Sequence, residues 1–247
     1  MRVLGVIPAR LGSIRLPNKP LQLLAGEPLI TRVIQRVMEH DLTDRLVVAT
    51  DSQAVADVAV AAGVQAVLTD PAHLSGTDRV AEVAARAEFA SAEIVVNVQG
   101  DEPFLPREAL AGAIDRVEAG DDVGTAAAPL DPTLATDPAR VKVVTDARGR
   151  ALYFSRAVIP HRREPVDDGD QLYWQHLGIY ACTRAALARW VGAEPSPAEL
   201  AERLEQLRAL HCGLTIGVAR LEEPALPGVD TPDDLRRAEA HWHALQG

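Results

Sequence analysis

Cysteine, methionine and aromatic side chains are scarce in this chain: two Cys, two Met and three each of Trp, Tyr and Phe among 247 residues. With so few rings, the core has to be built from Ala, Val, Leu and Ile. Cys182 and Cys212 lie far apart and fit no metal-ligand or redox motif, which excludes a disulfide framework and makes a reducing cytoplasm the expectation. No apolar run approaches the roughly 18 residues of a membrane span. The opening run, residues 3–9, stops at Arg10 and lacks the flanks of a signal peptide, so a soluble, unexported protein is expected. Cations are also under-represented: 25 Lys and Arg face 35 Asp and Glu, a net charge of −10. A general nucleic-acid binder, whose affinity rests on neutralising phosphates, is thereby excluded. A nucleotide substrate is not, because a few local cations and a divalent metal outweigh the global sign.

What is present is an ordinary folded composition, 47% apolar and 24% charged. A chain of this length buries roughly 70–75% of its unfolded surface without disulfides or a structural metal. In the first half, short apolar runs at 3–7, 46–49, 65–68 and 94–98 alternate with amphipathic stretches at 29–40, 53–62, 79–89 and 107–119. Runs apolar throughout suit strands buried on both faces, and strand–helix alternation implies a parallel sheet flanked by helices. After about Gly124 the rhythm changes. Residues 141–145 and 151–154 read as a hairpin around DARGR, 166–171 as a polar loop and 176–182 as a strand. Residues 199–210 read as a helix and 215–219 as a strand. A last helix over 233–245 has Thr231 as N-cap and Pro232 at its first position. There is no repeat and no long linker. The expectation is one α/β core spanning 1–247, with 140–185 as an inserted region.

Four loops carry chemistry. PARLGSIRLPNKPL (8–21) leaves the carboxyl end of the first strand, where open α/β sheets hold ligands. It brings Arg10, Arg15 and Lys19, while Gly12 and Ser13 free backbone N–H groups, a combination able to wrap a triphosphate. It has neither Walker A nor G-x-G-x-x-G spacing; a solvated connection with scattered charges is the alternative. NVQGDEP (97–103) offers Asp101 at another strand end, suited to an Mg²⁺ bridging protein and phosphate oxygens or, alternatively, to capping the next helix. In GVDTP (228–232), Thr231 already fills the cap, which leaves Asp230 spare as a second metal carboxylate. HLSGTDR (73–79) supplies Ser75, Gly76 and the planar fork of Arg79 for a base edge or phosphate; the alternative is a simple helix start capped by Thr77 or Asp78. The second half adds Arg156, His176, Tyr180, Glu205 and Gln206, which together could bind a polyhydroxylated acid. Singly, His176 also suits a satisfied strand residue, and Glu205 with Arg208 an i,i+3 surface pair.

PARLGSIRLPNKPL, VVATDS, HLSGTDR, IVVNVQGDEP, ALYFSRAVIP, HLGIY, EPSPAELAERLEQLRAL and PGVDTPDDL, in this order, resemble the sugar-acid cytidylyltransferases, and within them those acting on 3-deoxy-manno-octulosonate (Kdo). The resemblance implies a three-layer α/β/α nucleotidyltransferase (Rossmann-like) fold with a mostly parallel sheet and a small β-rich dimerisation subdomain. It implies CTP phosphates on Arg10, Ser13, Arg15 and Lys19, and cytidine on Ser75, Gly76 and Arg79. It further implies Mg²⁺ on Asp101 and Asp230, and the sugar acid on Gln99, Arg156, His176, Tyr180, Glu205 and Gln206. The partners are then CTP and Kdo, with no nucleic acid and no membrane insertion. A homodimer would be joined around FSR and HLGIY, in the cytoplasm and ahead of lipopolysaccharide assembly. The implied reaction is in-line attack of the anomeric hydroxyl on the α-phosphorus of CTP, with Arg10, Lys19, Asp101 and Asp230 as the catalytic set and no covalent nucleophile. Rivals are a cytidylyltransferase for sialic acid or an amino-Kdo, and a catalytically silent nucleotide-binding protein. A glycosyltransferase would want a D-x-D motif, which QGDEP lacks. The loop departs from the family pattern at residues 11–14 (LGSI), and residues 161–175 match no recognised pattern.

Overall fold

A computed structural model describes residues 1–13, 15–164 and 171–246. In chain order the elements begin with β1 (Val3–Ala9), β2 (Leu23–Leu24), β3 (Glu27–Pro28), α1 (Leu29–His40), β4 (Arg45–Thr50), α2 (Gln53–Ala61) and β5 (Gln65–Leu68). There follow α3 (Gly76–Ala85), β6 (Ile94–Asn97), α4 (Arg107–Glu118), β7 (Val123–Pro129), β8 (Lys142–Thr145), β9 (Ala151–Ser155) and β10 (Trp174–Thr183). The chain finishes with α5 (Arg184–Gly192), α6 (Pro197–Glu202), α7 (Gln206–His211), β11 (Ile216–Arg220) and α8 (Pro232–Gln246). Two compact units result: Met1–Leu105 with Leu226–Gly247, and Pro106–Ala225.

In the first unit, β6, β1, β4 and β5 form a parallel sheet in that order. The apolar runs of β1, β4 and β6 are buried as two-faced coverage requires, with Val6, Ile7, Val48, Ile94 and Val96 wholly enclosed, whereas β5 at the edge buries Val67 and leaves Leu68 exposed. The amphipathic stripe of α1 buries Leu29, Ile30, Val33, Ile34 and Val37. In the second unit β7 pairs antiparallel with β10 and parallel with β11, and β8 and β9 form the expected hairpin.

Several boundaries differ from the sequence reading. α3 starts at Gly76 rather than Arg79, because Ser75 caps it. The helix expected over 199–210 is two helices, α6 and α7, separated at Arg203, whose φ of 54° lies in the left-handed region. Strand β7 and helix α5 were not anticipated. The polar loop assigned to 166–171 lies, but for Gln171, outside the described residues, as does Ile14. No helix among the described residues is long and apolar enough to cross a membrane.

Candidate active site

Gly76, Gly100 and Pro8 explain why three of the four loops meet. A Cβ on Gly76 would lie 3.3 Å from Pro8 Cγ, and one on Gly100 would lie 3.0 Å from the Pro8 carbonyl oxygen. Both turns therefore press on the carboxyl end of β1, and at Gly100 the neighbour is backbone that cannot swing aside. The fourth segment joins through Gly228, where a Cβ would stand 3.0 Å from Glu102 Oε1, and through Val229 N–H, which donates to the Asp101 carbonyl at 2.8 Å.

An apolar cluster of Leu16, Leu24, Leu29, Val229 and Ala238 lies beneath. Leu16 sits next to Arg15 and Val229 next to Asp230, so one patch of core seats both the cationic loop and the carboxy-terminal acid. That is how groups 211 positions apart come within hydrogen-bond distance: Lys19 Nζ donates to Asp230 Oδ1 at 2.9 Å and to Asp101 Oδ2 at 2.5 Å. Arg15 Nη2 reaches the other oxygen of Asp230 at 3.1 Å. Asp101 does not cap α4, which starts after Pro106. Thr231 is the N-cap of α8, as expected, and its partner is Asp234. Asp234 N–H donates to Thr231 Oγ1 at 3.2 Å, while Thr231 N–H donates to Asp234 Oδ2 at 2.8 Å. Asp230 is thus spare for ionic work.

The electrostatics follow from this crowding. Burial opposes the charged form of Lys19, but the charges of Asp101 and Asp230 and their hydrogen bonds outweigh it and hold the pKa above the usual lysine value. Glu102 was not singled out from the sequence, although it adjoins Asp101 in GDEP. It is half-buried beside the two aspartates, and desolvation first, then their charges, push its carboxyl up to about 8. Lys19 and Arg15 offset Asp101 and Asp230, and the raised Glu102 carboxyl adds no full charge near neutral pH, so the cluster is a concentration of hard oxygen donors beside a basic loop. Among the described residues no group of three or more His, Cys, Asp and Glu could hold a metal by itself. Two carboxylates plus phosphate oxygens from a substrate are the donor set Mg²⁺ favours. The residues present fit that ion.

The remaining nucleotide candidates divide. Arg10 is exposed beyond β1. Ser13 Oγ accepts from Leu16 N–H at 3.3 Å and closes the loop on itself. Ser75, not Thr77 or Asp78, caps α3 in a reciprocal box with Asp78. Arg79 is almost wholly enclosed: its guanidinium donates to Thr69 Oγ1 and to Asp51 Oδ2, the latter at 2.9 Å. Asp51 stands just after β4 in the VVATDS segment, a position that marked it only in retrospect. Gln99 is half-buried, and its carbonyl accepts from Glu102 N–H at 3.3 Å.

The second unit gathers the other candidates. His176 is buried on β10, where burial pushes its pKa down to about 3, so it is neutral. Thr125 Oγ1 lies 2.7 Å from the Ile179 carbonyl and 3.0 Å from His176 Nε2. Its single proton goes to the carbonyl, which assigns the proton of the imidazole to Nε2 and leaves Nδ1 as an acceptor. The His176 ring packs 4.8 Å from Phe154 and 5.5 Å from Tyr180, and Tyr180 packs 5.2 Å from Trp190. Burial, reinforced by the Glu205 charge, keeps the Tyr180 phenol protonated. The Glu205 carbonyl accepts from Trp190 Nε1 at 3.1 Å, and Gln206 is buried at the start of α7. Arg208 is bidentate on Glu199, with contacts from 2.5 Å. The Arg156 guanidinium donates to the carbonyls of Pro138 and Glu202, each at 2.8 Å, and of Arg203 at 3.4 Å.

Comparison with known proteins shows which family the chain falls in. A model of the cytidylyltransferase family matches residues 4–216. The chain is 52% identical over 248 residues to 3-deoxy-manno-octulosonate cytidylyltransferase of Gemmatimonas aurantiaca, covering 99% of this chain and 96% of that protein. It is 46% identical to the protein of the same name from Methylococcus capsulatus, covering 96% and 95%. A solved structure of a CMP:2-keto-3-deoxy-manno-octonic acid synthetase complexed with CTP superimposes with a TM-score of 0.90 at 36% identity, covering 99% of this chain and 100% of that one. The chain therefore belongs to the cytidylyltransferase family.

Proposed function

We propose that this protein transfers CMP from CTP to the anomeric hydroxyl of 3-deoxy-manno-octulosonate, releasing pyrophosphate and forming CMP-Kdo. The observation that carries the reading is the meeting of Lys19, Asp101 and Asp230 at the carboxyl end of β1, in a chain similar over nearly its whole length to enzymes of that name. Arg10, Arg15 and Lys19 bind the triphosphate, with Ser13 and its loop amides, and Lys19 and Arg10 neutralise charge growing on the departing pyrophosphate. Ser75, Gly76 and Arg79 orient the cytidine; Arg79 acts from a fixed position because Asp51 and Thr69 hold it. Mg²⁺, held by Asp101 and Asp230, would supply Lewis-acid polarisation of the α-phosphate and lower the pKa of the attacking hydroxyl. Gln99, Arg156, His176, Tyr180, Glu205 and Gln206 bind the sugar acid. Arg156 meets its carboxylate, while His176, neutral with Nδ1 free to accept, takes a hydroxyl proton in a hydrogen bond rather than a charge. Transfer of this kind depends on positioning and charge neutralisation, so no covalent nucleophile is required.

The proposal extends to a cytoplasmic homodimer joined through β9 and β10, whose product serves lipopolysaccharide assembly. Leu152, 63% exposed on β9, and the neighbouring Tyr153 support an interface there. The test is pyrophosphate release from CTP and Mg²⁺ with a panel of acids, alongside sedimentation of the intact protein. Release that depends on Kdo, from a particle of twice the chain mass, is expected. Release with sialic acid or amino-Kdo in preference to Kdo, or CTP binding with no turnover on any acid, overturns the substrate assignment; a monomer overturns the dimer.

A further inference from the structure

Lys142 is the largest charged side chain buried in the second unit without a carboxylate as its hydrogen-bond partner. It opens β8, opposite Ser155 of β9 and Gln175 of β10, and its side chain is 0% exposed. Its ammonium has three protons and three acceptors: the main-chain carbonyls of Arg156 at 2.6 Å, Arg140 at 2.7 Å and Asp137 at 3.1 Å. Nothing in the composition of KVVT distinguishes this lysine from a solvated one. Burying an ammonium is costly unless every donor is satisfied, so such an arrangement persists only where the surroundings are built around it.

Those acceptors are not arbitrary. Asp137 and Arg140 bracket Pro138, whose carbonyl accepts from Arg156 Nη1 at 2.8 Å. The third acceptor is the carbonyl of Arg156 itself. Lys142 thus grips the arginine by its main chain and also grips the turn to which the guanidinium is tied. The same turn is coupled to β10, because Val141 O accepts from His176 N–H at 2.8 Å and Arg140 Nη1 donates to Gln175 Oε1 at 2.7 Å. Arg156 in turn spends its donors on carbonyl oxygens, and the carboxylate of Glu202 is engaged by Ser155 Oγ at 2.6 Å and by Arg156 N–H at 2.9 Å. The side-chain hydrogen bonds of both cations thus go to neutral carbonyl oxygens, while the carboxylates of Asp137 and Glu202 act on Lys142 only through their charge.

We infer that Lys142 is a positioning residue for recognition of the sugar acid: it fixes Arg156 in place through the 137–140 turn and adds a buried positive charge behind it. The acid's carboxylate is drawn to Arg156 partly by a lysine it never touches. This inference rests on Arg156 being the carboxylate-binding group, and the experiment separates the two.

Lys142→Met keeps the length and apolar stem and removes the charge and all three donors. Steady-state kinetics of Lys142→Met, Arg156→Ala and the unaltered enzyme are compared, with melting curves for each. The expected result for Lys142→Met is a KM for Kdo at least tenfold higher, a KM for CTP unchanged, and kcat within about threefold. Lys142→Gln, which can still donate two bonds but carries no charge, should show an intermediate KM for Kdo. If Arg156→Ala leaves the KM for Kdo unchanged, the underlying assignment of Arg156 fails. If Arg156→Ala raises it and Lys142→Met does not, or if both KM values and kcat move together, the role given to Lys142 fails alone. Loss of folding in both Lys142 variants also overturns it, in favour of a lysine that serves only the architecture.

Discussion

Lys19 sits where three carboxyls crowd one ammonium, and its surroundings show why single residues here cannot be read in isolation. The sequence made Asp230 legible by subtraction, since Thr231 had taken the capping role; the Thr231–Asp234 box bears that argument out. Glu102 and Lys142 were not legible, because nothing local separates a half-buried or buried charged side chain from an exposed one. Their burial comes from long-range packing. His176 is an intermediate case: the bland reading, a satisfied strand residue, and the functional one describe the same imidazole, bonded through Nε2 and open at Nδ1. Its depressed pKa has a consequence for stability. Between about 6.5 and about 3 the unfolded chain binds a proton at this position that the folded chain does not. Stability is therefore lost as pH falls through that window, by about 1.4 kcal/mol per pKa unit at most. Urea denaturation from pH 7 to pH 4 should show a weaker acid slope for His176→Phe than for the unaltered protein. Equal slopes would mean the imidazole is protonated in the fold. Glu82 does not confuse the comparison, because its carboxyl, held down to about 2 chiefly by hydrogen bonds from Asp70 N–H, Arg86 and His73, contributes equally in both proteins.

The elements divide by how they announce themselves. α1 was legible to the residue because a 12-residue amphipathic stripe has one reading. β7, VGTAAAP, was not legible: it lacks the β-branched run that marks a strand, and the reason is α4. A Cβ on Gly124 would lie 1.8 Å from the Ala113 carbonyl oxygen, so the helix backbone lies directly against the strand at this point and no side chain fits there. Tertiary approach has overridden β-propensity. The break between α6 and α7 was equally hidden, because AERLEQLRAL keeps a helical period across Arg203. The carbonyls exposed at that break are the ones Arg156 uses. Gly124→Ala should therefore destabilise by about 3 kcal/mol or more, as overpacking against backbone does. Gly192→Ala, at the end of α5 with nothing within 4 Å of the added methyl, should be neutral or slightly stabilising. Chemical denaturation decides between them. Comparable effects at both positions would remove the close approach of α4 as the explanation for β7.

At the scale of the molecule, a chain of net charge −10 binds a polyanionic nucleotide only if its cations are gathered, and Arg10, Arg15 and Lys19 are gathered by one loop. The parallel sheet of the first unit and the order of the four loops at its strand ends could be read from the sequence, because buried runs and strand ends are local signals. The contact between a residue near the start of the chain and one 211 positions later could only be inferred. It depends on Leu16 and Val229 sharing one apolar cluster, which no spacing rule reveals. The account stands or falls on that contact having a chemical purpose. Asp230→Asn keeps the side chain's shape and leaves Val229, Thr231 and Asp234 in place, so the fold should persist. Kdo-dependent pyrophosphate release should fall at least a thousandfold, with the melting temperature unchanged within a few degrees. Turnover near the unaltered rate in a folded Asp230→Asn protein would contradict the account.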